Sequence, residues 1–216
     1  MNLIDRLGDW YQFFDKPSFS STLNVLRRYY NQGLSIMPDS HNIFKAFEET
    51  PIDNSVIIIG LDPYPQKSIA TGIAFGNDLA NGRIKNISPS LVKLLEPLKV
   101  DNTFDYSLKS WCNQGVLMLN SALTVIEGKP NSHQLLWRPF ITSFLKNYST
   151  YNQKVVYVLL GKTAQSLKPY ILHNGNIMEC NHPSYLVREG ISMPNIYQQI
   201  NSSLLQLNKP VIRWYD

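Results

Sequence analysis

The sequence predicts an α/β fold: a three-layer α/β/α sandwich with a central four-stranded parallel sheet. Three observations point there. Strand-like apolar runs cover 56–61, 116–120, 155–160 and 177–180, and each ends in polar or turn residues. Helical segments lie between them, the alternation expected of a parallel sheet covered on both faces. With 44% apolar residues, the 216-residue chain can build a sizeable core.

Taken in order, the first 50 residues read as amphipathic helix. Leu7, Trp10, Tyr11 and Phe14 recur at helical spacing, then Leu23, Leu26 and Tyr30, with Ser20 and Ser21 as expected caps of the second helix. The aromatic cluster Trp10, Tyr11, Phe13 and Phe14 reads as helix packing. Val56-Ile57-Ile58-Ile59 is β-branched throughout and reads as a strand buried on both faces, stopped by Gly60, Asp62, Pro63 and Pro65. A helix is expected over 91–96 behind a Ser88-Pro89-Ser90 cap, and others over 137–147, 163–171 and 194–207. No repeat or Gly/Ser-rich linker divides the chain, so residues 1–216 are expected to form one domain with the helical segment 1–50 packed on it.

A net charge of +4 is compatible with a polyanionic partner without showing one. Two cysteines, Cys112 and Cys180, lie beside apolar runs without CxxC spacing and read as buried free thiols. With four scattered histidines, they exclude a four-cysteine zinc or iron–sulfur site within the chain. The amino terminus lacks a signal-peptide pattern, and no apolar run approaches the ~20 residues needed to span a bilayer. A soluble, cytoplasmic protein is expected.

Parallel strands place their carboxyl ends on one side, where ligands bind in open α/β sheets. Those ends deliver Asp62, Asn120, Gly161-Lys162-Thr163 and His182. Taken singly, Asp62 reads as a turn cap, Asn120 as an Asx turn, His182 as a loop histidine and Phe75 as a core aromatic. Together, and without a Ser or Cys nucleophile elbow, they point to acid/base or electrostatic catalysis on a bound ligand. His41 and His173 read as structural, and His133 is a substrate-side candidate only by its position after the second strand.

Gly60-Leu61-Asp62-Pro63-Tyr64, Gly72-Ile73-Ala74-Phe75, the segment GVLMLNSALTV over 115–125 and His182-Pro183-Ser184 resemble, in order and spacing, the motifs of family 1 uracil-DNA glycosylases. Ser88-Pro89-Ser90 is similar to that family's phosphate-pinching loop, and the segment from Gly161 and Lys162 to Gln165 to its Gly-Ser loop. The resemblance spans about residues 56–190. It implies excision of uracil from DNA by base flipping, with no metal or cofactor. By the same resemblance, Phe75 would stack on the flipped base, Asn120 would pair with its polar edge, Tyr64 would exclude the thymine methyl and Leu61 would bind through its backbone. Asp62 would stabilise the sugar cation and orient water, and His182 would hydrogen-bond uracil O2. Ser88, Pro89, Ser90, Gly161, Lys162, Ser184 and Arg188 would face DNA, with Pro65 beside them and Leu186 as the wedge entering the base stack. The implied partner is uracil-containing DNA, single- or double-stranded, acted on by a monomer. A protein inhibitor or a replication or repair partner is compatible with this reading, and a membrane is not.

The chain departs from the family pattern in three places. Pro65 replaces the usual His, as in poxviral members, Leu61 replaces Gln, and Tyr185 replaces a proline in a slightly shortened wedge segment, where it could itself stack against DNA. These departures leave open a catalytically weak or inactive glycosylase-fold protein acting in DNA or partner binding, and a glycosylase of different base preference. Turnover that depends on Asp62 separates the enzyme from the binding protein, and a panel of modified bases addresses the preference.

Overall fold

In the computed structural model of the chain, residues 2–77, 87–101, 103–172 and 176–215 are described. His173 lies outside them. Helix α1 (Leu3–Leu7) starts on an Asn2/Asp5 capping box and runs into a 3-10 turn, Gly8–Phe13. Helix α2 (Lys16–Asn31) is capped by Asp15, which accepts the Ser18 N–H at 2.9 Å. Ser20 and Ser21 therefore lie within the helix and not at its start. Pro17, in the first turn, needs no N–H partner there, so Asp15-Lys16-Pro17 starts the helix earlier than the serines would.

A short strand β1 (Ile36–Met37) and helix α3 (Lys45–Glu49) lead to β2 (Val56–Gly60). Helices α4 (Pro89–Leu95) and α5 (Lys109–Asn113) precede β3 (Val116–Asn120), which is followed by β4 (Val125–Ile126), the antiparallel partner of β1. Helix α6 (Gln134–Tyr151) leads to β5 (Val156–Leu160), α7 (Lys162–Gln165) to β6 (Ile177–Cys180), and α8 (Pro183–Glu189) and α9 (Ile196–Gln206) close the order. The helix expected over 163–171 is broken: α7 stops at Gln165, and Lys168-Pro169-Tyr170 forms a separate 3-10 turn around its proline.

The main sheet has the order β3-β2-β5-β6, with every pair parallel. Alternate residues feed two cores. Ile57, Ile59, Leu117, Leu119 and Leu159 face a cluster with Leu26, Phe47, Phe140 and Phe144 from α2, α3 and α6. Val56, Ile58, Met118 and Val158 face Leu91, Trp111, Leu186 and Ile196 from α4, α5, α8 and α9. Both faces are covered, giving the expected three layers. Among the described residues no helix is long and apolar enough to cross a membrane.

The amino-terminal aromatics belong to the first core. Phe14 meets Phe140 edge-on at 4.7 Å between ring centroids, and the Trp10 indole N–H donates to the Thr50 carbonyl at 2.8 Å. These contacts tie the first 15 residues to α6 and to the segment entering β2. Phe14→Ala is expected to destabilise the fold by about 3–5 kcal/mol through loss of transfer energy and a residual cavity. Urea unfolding measures this as a lower midpoint at unchanged slope.

Candidate active site

In the register of the sheet Gly60 lies opposite Asn120. A Cβ at position 60 would stand 2.8 Å from Asn120 Oδ1 and 2.9 Å from Phe75 Cε2, so only glycine lets both side chains close over this strand end. The chain then turns through Leu61 to Pro65. The Leu61 carbonyl accepts hydrogen bonds from Ala122 N–H at 3.2 Å, Ser121 Oγ at 2.6 Å and Gln134 Nε2 at 2.9 Å. At the far end the Pro65 carbonyl accepts the Gly128 N–H at 2.9 Å. The turn is thus held from both sides before any ligand arrives.

A pocket of about 290 Å³ opens at this edge, and Leu61, Asp62, Tyr64, Phe75, Asn120 and His182 all line it. Pro65, Ser90 and Ser184 reach its rim. Phe75 adopts a left-handed φ of 64°, and the Ala74 N–H pins its segment to the Met118 carbonyl at 3.0 Å. The Phe75 ring is 7% exposed and its centroid lies 5.5 Å from that of His182. The Tyr64 hydroxyl donates to the Phe75 carbonyl at 3.1 Å and lies 3.1 Å from Ser90 Oγ, while burial pushes its pKa up and keeps it neutral. Asn120 is 8% exposed, and its amide has no hydrogen-bond partner among the described residues. A buried, uncommitted amide on a pocket wall is available to match a ligand's donor–acceptor edge.

The two titratable groups deepest in the chemistry respond oppositely to burial. Desolvation raises the Asp62 pKa, and an Asn131 N–H donated to its Oδ2 at 2.6 Å works against that rise. Desolvation also drives His182 down to about 4, so the imidazole is neutral near pH 7. Its Nδ1 accepts the Ser184 N–H at 3.2 Å, which leaves the proton on Nε2. Gly161, at φ 88°, permits the approach, because a Cβ there would stand 2.8 Å from the Cβ of His182.

Outside the residues lining the pocket, Ser88 occupies the cap position of α4 and its N–H donates to Asn77 Oδ1 at 2.6 Å. Pro89 opens that helix. Lys162 is exposed at the start of α7. Arg188 pairs with Glu189 at 2.9 Å and lies over the Tyr185 ring at 5.2 Å.

Leu186 requires a correction. It is only 2% exposed and packs in the second core, so in this conformation it cannot serve as a wedge. The reason is the helix itself: His182 caps it by accepting the Ser184 N–H, Pro183 opens it, and the segment winds into α8. Its inner face takes Leu186; Tyr185, 38% exposed, points outward.

His133 does not line the pocket: it is buried, with Nδ1 2.9 Å from Thr124 Oγ1. His41 lies in a surface 3-10 turn. Cys112 is a buried free thiol whose pKa burial raises to about 12. Among the described residues no cluster of His, Cys, Asp or Glu could hold a metal ion. Sequence reasoning missed Asn131 and Gln134, which touch the Asp62 turn from a distant loop. The only available signal was their place after the second strand.

Because its folded pKa is raised above 3.8, Asp62 favours folding below that pH, and this contribution is lost as the pH rises through the folded value. At neutral pH the buried charge therefore costs stability. Asp62→Asn is expected to raise Tm at pH 7, because it removes the charge that desolvation disfavours. Thermal scans should show the gap narrowing as the pH falls and wild-type Asp62 takes up its proton.

Residues 47–205 match the Uracil DNA glycosylase superfamily. A uracil-DNA glycosylase of Chlamydia pneumoniae is 31% identical over 210 residues, covering 93% of this chain and 87% of that protein. Among solved structures, mimivirus UNG Y322F in complex with UGI has a TM-score of 0.81 at 22% identity, covering 99% of this chain and 91% of that one. UNG from Nitratifractor salsuginis has a TM-score of 0.56 at 18% identity, covering 99% and 100%. At these identities the two structures speak for the fold, while the sequence matches speak for descent: the chain belongs to the uracil-DNA glycosylase superfamily.

Proposed function

We propose that the protein hydrolyses the N-glycosidic bond of deoxyuridine in DNA, releasing uracil and leaving an abasic site. The observation that carries this reading is the pocket itself: an uncommitted Asn120 amide with a half-buried carboxylate and a neutral imidazole on the same walls. A base inside a duplex is unreachable, so the nucleotide is flipped out at a cost of a few kcal/mol. Phe75 stacks on the base, Asn120 reads its polar edge, and Tyr64, braced by Ser90, walls off the space a thymine methyl would need. That wall matters because filling or leaving space for one methyl otherwise discriminates by only about 1–3 kcal/mol.

As the bond from the sugar to the base breaks, its electron pair leaves with uracil and positive charge develops on the sugar. His182 Nε2–H donates to the developing oxyanion at O2, and a neutral donor suffices because the geometry is fixed by Ser184. Asp62 faces the sugar. Its Oδ2 is occupied by Asn131, and Oδ1, without a hydrogen-bond partner among the described residues, is placed to orient the water that adds to the sugar carbon. Ser88, Pro89, Ser90, Gly161, Lys162, Ser184 and Arg188 form the DNA-facing rim, with Pro65 beside the scissile nucleotide. The reading extends to one domain acting as a monomer, a divergent member whose Asp62-Pro63-Tyr64-Pro65 turn resembles that of poxviral members. Mimivirus UNG variants are seen in complex with UGI, and a protein inhibitor or a replication or repair partner is part of the proposal.

The decisive experiment is uracil release from single- and double-stranded oligonucleotides across a range of salt, because phosphate contacts make affinity steeply salt-dependent. Wild type is expected to turn over. Asp62→Asn and His182→Ala are each expected to lose about 10²–10³ in kcat, the loss typical of removing an electrostatic stabiliser. Absence of release by the wild type at every salt concentration rejects the proposal and favours the binding protein.

Since Leu186 is buried, we assign the stack-filling role to Tyr185. Tyr185→Ala is expected to lower the rate on duplex relative to single-stranded substrate by roughly tenfold, in line with ~1–3 kcal/mol per stacked base. Equal losses on both substrates would remove Tyr185 from that role.

A further inference from the structure

Among the described residues, the Asp62 carboxylate has one hydrogen-bond partner, the N–H of Asn131. Asn131 adopts a left-handed φ of 64°, a conformation that its short side chain tolerates better than most. Three residues later, Gln134 Nε2 donates to the Leu61 carbonyl, and its Oε1 lies 3.2 Å from Ser121 Oγ. One short segment therefore grips the catalytic turn on both sides of the peptide bond that joins Leu61 to Asp62.

The segment is itself anchored. Ser132 Oγ accepts the Ile126 N–H at 2.8 Å. His133, 2% exposed, has Nδ1 2.9 Å from Thr124 Oγ1, which also accepts the Trp137 indole N–H at 2.7 Å. Its ring stacks on Tyr29 at 5.5 Å with 17° between the planes. His133 Nε2 is buried with no partner among the described residues. Burying an imidazole with an unpaired nitrogen costs more than burying a leucine of similar size. A packing role alone does not account for a histidine here, whereas a directional bond to Thr124 fixes both the ring and the backbone beside it.

We infer that residues 131–134 form a clamp that sets the orientation of Asp62, with His133 and Gln134 as positioning residues. Neither touches substrate. The inference rests on the glycosylase reading for the meaning of Asp62, though not for the geometry of the clamp. Loosening the clamp withdraws the Asn131 N–H from the carboxylate. The anion then loses a stabilising donor, so the Asp62 pKa rises further. The other titratable groups on the pocket wall are Tyr64 and His182, and neither is hydrogen-bonded to residues 131–134. Lys129, exposed in the same loop, is left in place by the variants below.

The test compares wild type with His133→Ala, His133→Asn and Gln134→Leu, each normalised to its folded fraction by circular dichroism. On single-stranded uracil DNA, His133→Ala and Gln134→Leu are expected to lower kcat about tenfold, as loss of one positioning hydrogen bond allows, with a smaller change in KM. The acid limb of the kcat/KM profile should move to higher pH. His133→Asn, whose amide can stand in for Nδ1, should restore part of both. A loss of folded protein lowers activity at every pH and leaves that limb in place. Carbon-13 NMR titration of the Asp62 carboxyl supplies a readout that needs no turnover, and it should shift upward in both disruptive variants. An unchanged Asp62 titration, or an unchanged acid limb after normalisation, overturns the clamp. Failure of wild type to release uracil overturns the proposed function instead, and the NMR titration still decides the clamp.

Discussion

Everything at the pocket depends on the pairing of β2 with β3, because that register sets Gly60 against Asn120. Strands β2, β3 and β5 are buried on both faces, so register has to satisfy two cores at once. A slip of one residue would exchange Ile57 and Ile59 with Val56 and Ile58 and misfill both clusters. The same slip would bring Leu119 to the strand end and remove the amide from the pocket. Packing energy spread over many side chains thereby fixes one polar atom. The missing side chain at Gly60 completes the arrangement, since Asn120 Oδ1 and the Phe75 ring occupy the space a Cβ would take.

Burial then acts on the two titratable groups in opposite senses, raising Asp62 and lowering His182. The outcome is a carboxylate beside a neutral imidazole and not an ion pair. A protonated His182 would offset the negative potential that Asp62 presents to a cationic sugar. Kept neutral, it still donates from Nε2, and the Ser184 N–H at Nδ1 selects that tautomer. The pocket holds one net negative charge, near where positive charge would develop, and a neutral donor near where negative charge would develop. This is electrostatic preorganisation built from desolvation and two backbone N–H groups.

The strands were legible in the sequence because each is a short apolar run ended by Gly, Asp, Asn or a turn. Convergence of Asp62, Asn120 and His182 followed from parallel topology alone, and the family resemblance supplied their roles. What failed to show was local competition and distant contact. Asp15 wins the cap of α2 from Ser20 and Ser21 because Pro17 fits the first helical turn. Leu186 matches a motif by position, yet the segment coils into α8 behind the His182 cap, and the coil turns Leu186 inward. Asn131 and Gln134 reach Asp62 and Leu61 across 69 and 73 residues of chain, one through its backbone, and leave no periodicity to read.

Pro65 acquires its meaning from these contacts. In place of the family's histidine it provides no side chain for water and no backbone donor, so in the proposed reaction Asp62 would position water without that help. An isolated carboxylate at a turn samples rotamers and loses effective concentration towards its water. Here the turn is fixed by donors from Ser121, Ala122, Gln134 and Gly128, and the carboxylate by Asn131. Orientation held within a fraction of an ångström is worth several powers of ten in effective molarity, while a 1 Å misplacement costs about 10²-fold. In the proposed reaction, rigidity of the turn would supply what a second polar group otherwise does, and the accuracy of one carboxylate would be the quantity on which the chemistry turns.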